Sequence, residues 1–301
     1  MKNMNLNLNQ HHHFRTEFTS KVTATCHSWA TKRKNTICLL LCLLLFSTGF
    51  ILNGNIGLYF NLSGLMVVLG GTLGAVVISY KLERLTIVMK VLRASLRTPV
   101  KQPEEIIEIL VDLSVKSKLK GLLSLEKDEE ETTLLFLRQA LGYLVDGYPP
   151  DQIRDLLNTE MYFFRMRRED TERVLRTMSD ICPAFGLVGS VVGLISMLAG
   201  VGDTALIVAT VPIALTSTLY GVVLGNFLFL PLAALIRERT NQELLLQKMI
   251  LEAVMAICSD LHPRILERKL KTFLTPASRN KRLVSIKRIQ EKFNIEAAAA
   301  D

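Results

Sequence analysis

The stretch Ile181–Ile236, ICPAFGLVGSVVGLISMLAGVGDTALIVATVPIALTSTLYGVVLGNFLFLPLAALI, carries one carboxylate, Asp203, and no base. A hydrocarbon core of ~30 Å is crossed by about 20 helical residues, so this run is too long for one span. Gly200-Val-Gly-Asp203 interrupts it near the middle, where a turn is expected and Asp203 would cap a helix. A second run, Asn35–Tyr80, has no Asp, Glu, Lys, Arg or His and is broken at Asn53-Gly-Asn-Ile-Gly57. Two helical hairpins follow, with spans at 37–53, 62–80, 181–200 and 205–235. Short alternating strands, the mark of a membrane barrel, are absent from the pattern.

The rest of the composition agrees. The 301 residues include 36 Lys or Arg and 28 Asp or Glu, for a net charge of +8, and 49% are apolar. Mean hydropathy is +0.29. Those values exclude a disordered chain and a disulfide scaffold and disfavour an ordinary soluble enzyme. The five cysteines (26, 38, 42, 182, 258) have no metal-ligand spacing and read as small buried hydrophobes. His11–His13 lies in a polar tail and carries no metal site of its own.

Lys32-Arg33-Lys34 precedes the first span, Lys81 and Arg84 follow the second, and Arg237 and Arg239 follow the fourth. Basic residues thus flank one side at every crossing, which places both termini and the long central loop in the cytoplasm. The expected organisation is a cytoplasmic tail (1–35), spans one and two (36–80), a cytoplasmic helical domain (81–180), spans three and four (181–236), and a C-terminal helix with a basic tail (237–301). In the loop, Ile106, Ile107, Ile109, Leu110 and Leu113 recur at helical spacing after Pro103. Leu134, Leu135, Leu137, Leu141, Leu144 and Val145 form another face, and Asp151–Asp180 has no breaker before Pro183. Leu244, Leu245, Met249, Ile250, Val254 and Ile257 repeat the pattern before Pro263. The predicted class is all-α: a four-span integral membrane protein with a cytoplasmic helical domain.

Small residues line the last three spans: Gly70, Thr72, Gly74 and Ala75; Gly186, Gly189, Gly193 and Gly200; Ala214, Thr218, Gly221 and Gly225. Such stripes allow close backbone approach, and three of them predict oligomerisation as well as internal packing. Hydroxyls recur at Ser190, Ser196, Thr210, Thr216, Ser217 and Thr218. They either bond to their own helix backbone or line a polar path. Pro183 and Pro231 each free a backbone carbonyl and permit a bend. The spans hold no Asp, Glu, His or Lys at mid-membrane depth, although an ion path needs one. A second subunit must supply it. No nucleophile–base pair, phosphate loop, metal cluster or nucleic-acid surface is present in the sequence, so neither an enzyme nor a cofactor is expected.

The run Cys182-Pro-Ala-Phe-Gly-Leu-Val-Gly-Ser-Val-Val-Gly-Leu-Ile195 resembles the PAFG-x-x-GT-x-x-GL signature of flagellar-motor stator A subunits, the MotA family. Ala214-Leu-Thr-Ser-Thr-Leu-Tyr-Gly221, with Asn226 and Pro231, is similar to that family's fourth span, and Leu65–Gly74 to its second. Lys116–Glu126 is similar to its cytoplasmic loop. The resemblance spans about residues 37–275. TolQ and ExbB share the third- and fourth-span motifs but have three spans.

The resemblance implies an inner-membrane homopentamer around a dimer of MotB-like B subunits. Their membrane Asp carries a proton or sodium ion, and the ring drives a rotor switch protein. By position, Ser190 and Thr218, with Ser217 beside it, would line the ion path. Pro183 and Pro231 would shape the moving helix ends, and Tyr220 would meet the partner subunit. Lys118 and Glu126 would face the rotor. Departures are Ser190 in place of the usual Thr, Lys118 in place of Arg, Pro212 inside span four, and a 35-residue leader longer than the family's, which suggests a later start. A TolQ-like transducer for an envelope or gliding system, and a non-conducting scaffold, are the alternatives.

Overall fold

The computed structural model describes residues 41–274, apart from Leu43, Phe50, 53–55, 98–99, Thr133 and 200–203. The expectations for the His11–His13 run, Cys26, Cys38, Asp203 and the ends of the first span lie outside these residues. The chain divides into two units at Leu62. In the first, residues 44–49 are helical, Thr48 Oγ1 donates to the carbonyl of Leu45 at 2.7 Å, and Ile56–Tyr59 forms a 3₁₀ turn. Its leucines at 41, 44, 45 and 52 are exposed, as lipid-facing side chains would be.

In the second unit the helices are α1 (Leu62–Ser79), α2 (Leu82–Arg97), α3 (Pro103–Lys120), α4 (Glu126–Glu131) and α5 (Leu135–Val145). They continue with α6 (Pro150–Ala199), α7 (Thr204–Val223), α8 (Leu230–Cys258) and α9 (Pro263–Lys271). No strand occurs among the described residues. Among the described residues, three helical stretches are long and apolar enough to cross a membrane: Leu62–Ser79, one within Pro150–Ala199 and one within Thr210–Cys258.

Two of the apolar stretches continue into longer helices. Span three is the upper part of a 50-residue helix, α6, which passes through Pro183 without a break. The helix of the fourth span continues past 235. α7 runs into a π-helical segment, Leu224–Phe229, and on into α8. A helix that leaves the membrane needs only a change of surface composition, not of backbone. Pro212 lies inside α7, and the helix continues past it.

Beyond the apolar stretches, two apolar cores hold the helices together. The larger joins α3, α5, the start of α6, the end of α8 and α9, with Ile106, Leu110, Leu141, Leu157, Met249 and Leu266 fully buried. The smaller joins the foot of α1 to α2, α6 and α8 through Val76, Val88, Val174 and Ile236. The apolar face of α5 keeps Leu137, Leu141 and Leu144, with Leu134 and Val145 packed at its edge, and departs from the sequence reading only at Leu135. Phe136, Leu137, Ala140, Leu141 and Leu144 point inward, while Leu135 is 74% exposed.

Candidate ion-path site at the α6–α7 crossing

Glycines determine how closely α6 and α7 approach. A Cβ on Gly193 would meet the backbone nitrogen and Cα of Ala214 at 2.8 Å, and one on Gly186 would meet the carbonyl oxygen of Ser217 at 3.0 Å. A Cβ on Gly221 would strike the carbonyl oxygen of Cys182 at 2.7 Å. The stripes of spans three and four therefore face each other, as close packing of membrane helices requires. The α1 stripe is different. Gly71 is covered by the ring of Phe185, but Gly70 and Gly74 have nothing within 4 Å.

The seam places the hydroxyls. Ser190 Oγ lies 2.6 Å from the carbonyl oxygen of Ala214 and 3.2 Å from that of its own-helix Gly186, and it also contacts Thr218 Oγ1. One hydroxyl hydrogen cannot serve three acceptors, so a shared arrangement with Thr218 is built in. Ser217 is fully buried. A Cβ on Gly64 would meet its Oγ at 2.5 Å and one on Gly189 would meet its Cβ at 2.7 Å, so it is wedged between α1 and α6. Ser190 and Thr218, both half-buried, thus form one pair, and Ser217 stands apart from them on the inner side. Ser196 and Thr216 bond back to Val192 and Pro212 of their own helices, the commonest use of a hydroxyl in lipid.

Pro183 packs against Gly225, six residues before Pro231. Pro183 has no N–H for the carbonyl of Ser179, and a Cβ on Gly225 would lie 2.8 Å from that freed oxygen and 3.2 Å from Pro183 Cδ. Ser179 Oγ in turn donates to the carbonyl oxygen of Gly225 at 3.0 Å. The same oxygen accepts the N–H of Leu230, five residues on, which is the widened turn ahead of Pro231. Asn226 Nδ2 donates to the carbonyl of Val222 at 3.1 Å, serving another acceptor of that turn. Both helix irregularities therefore face each other across the α6–α8 pair. The sequence reading had singled out both prolines and Gly225 but not Ser179. Its signal was available: a serine four residues before a proline on a buried face.

Tyr220 is half-buried on α7. Lys118 and Glu126 lie outside this seam, on α3 and α4 of the helical bundle. Lys118 Nζ binds Asp260, beyond the end of α8, through Oδ1 at 3.3 Å and the backbone oxygen at 3.2 Å. Glu126, the first residue of α4, is exposed. Among the described residues no group of His, Cys, Asp or Glu is placed to hold a metal.

This arrangement has known counterparts. The signature of the MotA/TolQ/ExbB proton channel family matches residues 127–249. Motility protein A of Borreliella burgdorferi is 32% identical over 237 residues, 79% of this chain and 91% of that protein. Chemotaxis protein PomA of Vibrio alginolyticus is 29% identical over 76% of this chain and 90% of its own length. The fold superposes on the structure of C. jejuni MotAB with a TM-score of 0.76 at 25% identity, covering 82% of this chain and 96% of that one. The flagellar MotAB stator complex from Bacillus subtilis gives 0.75 at 26% identity, covering 80% and 95%. With a shared sequence signature, full-length relatives and the same arrangement of helices, this chain belongs to the MotA/TolQ/ExbB proton channel family.

Proposed function

We propose that the chain is the A-type stator subunit of a flagellar motor, a multi-pass protein of the bacterial inner membrane with both termini in the cytoplasm. The observation that carries this reading is the Ser190–Thr218 hydroxyl pair in a seam otherwise free of charge, on a chain whose similar proteins are motility proteins and MotAB complexes. The uncharged seam needs an acidic group from outside. A MotB-like partner brings an Asp, and a homopentamer of this chain surrounds it.

A carboxyl in apolar surroundings has a raised pKa, so the arrival and departure of a proton switch it between neutral and charged forms. Each charge moved through 100 mV supplies about 2.3 kcal/mol, several times thermal energy. The Ser190–Thr218 pair offers the carboxyl a hydroxyl partner in either state. The facing irregularities at Ser179–Pro183 and Gly225–Pro231 give the helix ends a place to yield, and Tyr220 packs against the partner. Lys118 and Glu126 carry the motion to the rotor switch protein. The chain performs no covalent chemistry of its own. A proton is the favoured ion, since the pair is too small a ligand set to shed the hydration shell of sodium without further oxygens.

The test is ion flux into liposomes holding this chain with its partner subunit. Ser190→Ala and Thr218→Val should each cut flux by about tenfold. Undiminished flux in both would remove the pair from the path. Robust leakage from the chain reconstituted alone would overturn the requirement for a partner.

A further inference from the structure

We propose that the cavity enclosed by α2, α5, α6 and α8 binds a small organic anion, a carboxylate or phosphate ester carried on an apolar body. Its volume is about 710 Å³, inside the range of roughly 300–1,000 Å³ that small-molecule sites occupy. The end of α2 and the approach to α3 close one side, the start of α5 another, and stretches of α6 and α8 form the rest. Phe136, Leu246 and Ile250 make its apolar wall together with Val100 and Leu134. The first three belong to the larger core and the other two pack against it, so the wall is held from behind. A site already fixed in shape loses little entropy when it is filled.

The polar lining is weighted toward cations. Lys101, Arg167, Arg168 and Arg239 stand against Glu160 and Glu243, an excess of two positive charges. Arg168 is committed to Glu243 at 3.0 Å, and its other terminal nitrogen lies 3.5 Å from Ser95 Oγ. That clamp fixes α2, α6 and α8 around the cavity and cancels one pair of charges. Lys101, Arg167 and Arg239 then have Glu160 as the remaining acid of the lining. Withdrawal from water, the larger cause, raises the Glu160 carboxyl above the ordinary carboxylate range, and the charge of Arg167 opposes the shift. Glu160 is therefore a weak counter-charge. Guanidinium groups take carboxylate and phosphate oxygens through paired, charge-assisted bonds.

Gln247, also in the lining, adds an independent observation. Its Oε1 is buried with no hydrogen-bond donor, which costs free energy. A half-turn of the amide exchanges oxygen for nitrogen, so this side chain can offer either to an occupant. A molecule with an N–H or O–H relieves the stranded oxygen, and an anionic oxygen can take the amide N–H. Inorganic phosphate lacks the body to cover the apolar wall, and a neutral hydrocarbon lacks the charge for the rim. An amphiphilic anion satisfies both.

The full chain in lipid nanodiscs is titrated by calorimetry with indole-3-acetate and with phenyl phosphate, after subtraction of empty nanodiscs. Acetate, inorganic phosphate and indole-3-acetamide are the controls. Saturable binding of one molecule per chain is expected for at least one probe, with the controls weaker by about tenfold or more. The midpoint of thermal unfolding should rise with the concentration of that probe. The tighter probe tells carboxylate from phosphate. Arg167→Gln with Arg239→Gln should weaken binding by at least about tenfold. Ala94→Trp, from an exposed position in the lining, should block the cavity and abolish binding without loss of helix. Gln247→Leu should weaken indole-3-acetate binding yet raise the unfolding midpoint of the unliganded chain, since the stranded oxygen is gone. No saturable binding of either probe by a chain that unfolds cooperatively would overturn the site. Binding that survives both Ala94→Trp and the double arginine variant would place the probe elsewhere and overturn it equally. Indole-3-acetamide binding as tightly as the acid would remove the requirement for an anion, and the proposal with it.

Discussion

Ser179 donates its hydroxyl hydrogen to the carbonyl oxygen of Gly225 across a gap of 3.0 Å, while the carbonyl of Ser179, left without an N–H by Pro183, lies against the same glycine. Two helices that are each irregular at this level thus serve each other's polar groups. In a membrane, where water cannot satisfy a freed carbonyl, this reciprocity allows both irregularities to persist.

Ser179→Ala should cost about 1 kcal/mol, since Gly225 keeps the Leu230 N–H and loses only one of two donors. Gly225→Ala should cost more, about 1–3 kcal/mol, because its Cβ would press on backbone oxygen and the Pro183 ring. Thermal unfolding in detergent, with swimming speed as a second readout, ranks the two. A milder effect of the alanine at 225 would contradict the geometry.

Gly193→Val should separate α6 from α7, because the added atoms meet Ala214 backbone. A loss of about 2–3 kcal/mol and of ion flux is expected. Gly74→Val, with open space at its position, should leave the stability of the isolated chain unchanged. Comparing the unfolding temperatures of both variants checks the difference.

Arg168 clamps Glu243 with bonds of 3.0 and 3.2 Å from one guanidinium nitrogen, while its guanidinium sits 5.2 Å from the centre of the Phe164 ring. Both side chains of the pair are largely withdrawn from water. Arg168→Gln should destabilise the α6–α8 pairing by about 2 kcal/mol, and Arg168→Gln with Glu243→Gln by less, because no charge is then stranded. A double-mutant cycle by chemical denaturation measures the coupling.

Glu252 holds α9 to α8. A hydrogen bond from Lys269, at 2.6 Å, is the chief reason its carboxyl titrates below the ordinary carboxylate range; partial burial opposes the shift, and the charges of Lys269 and Lys248 add to it. A depressed acid stabilises the fold fully above its unfolded pKa of about 4.3 and loses that contribution as pH falls through the lower folded value. Hydrogen exchange of the α9 amides should therefore quicken as pH drops below about 4, after correction for intrinsic rates. Glu252→Gln should remove that dependence.

Much of this fold was legible along the chain. Two runs holding a single charge between them, each longer than one crossing, admit only helices, because backbone polar groups in lipid must be satisfied within the segment. Pro103 starting α3, and the apolar faces of α3 and the end of α8, were equally readable, since periodicity is a local property. The candidate site was legible as residue types: Ser190, Thr218, Pro183 and Pro231 were all in view. Which of them meet was not. Ser217 and Thr218 are neighbours in sequence, yet one is wedged against α1 and α6 and the other pairs with Ser190, because adjacent positions on a helix point about 100° apart. Lys118 looked like a free surface charge until the fold brought Asp260 to it from 142 residues away. Hydrophobic pattern, set by each segment's own exchange between water and lipid, belongs to the sequence alone; partnership depends on where helices cross, and glycine positions on two helices decide that jointly.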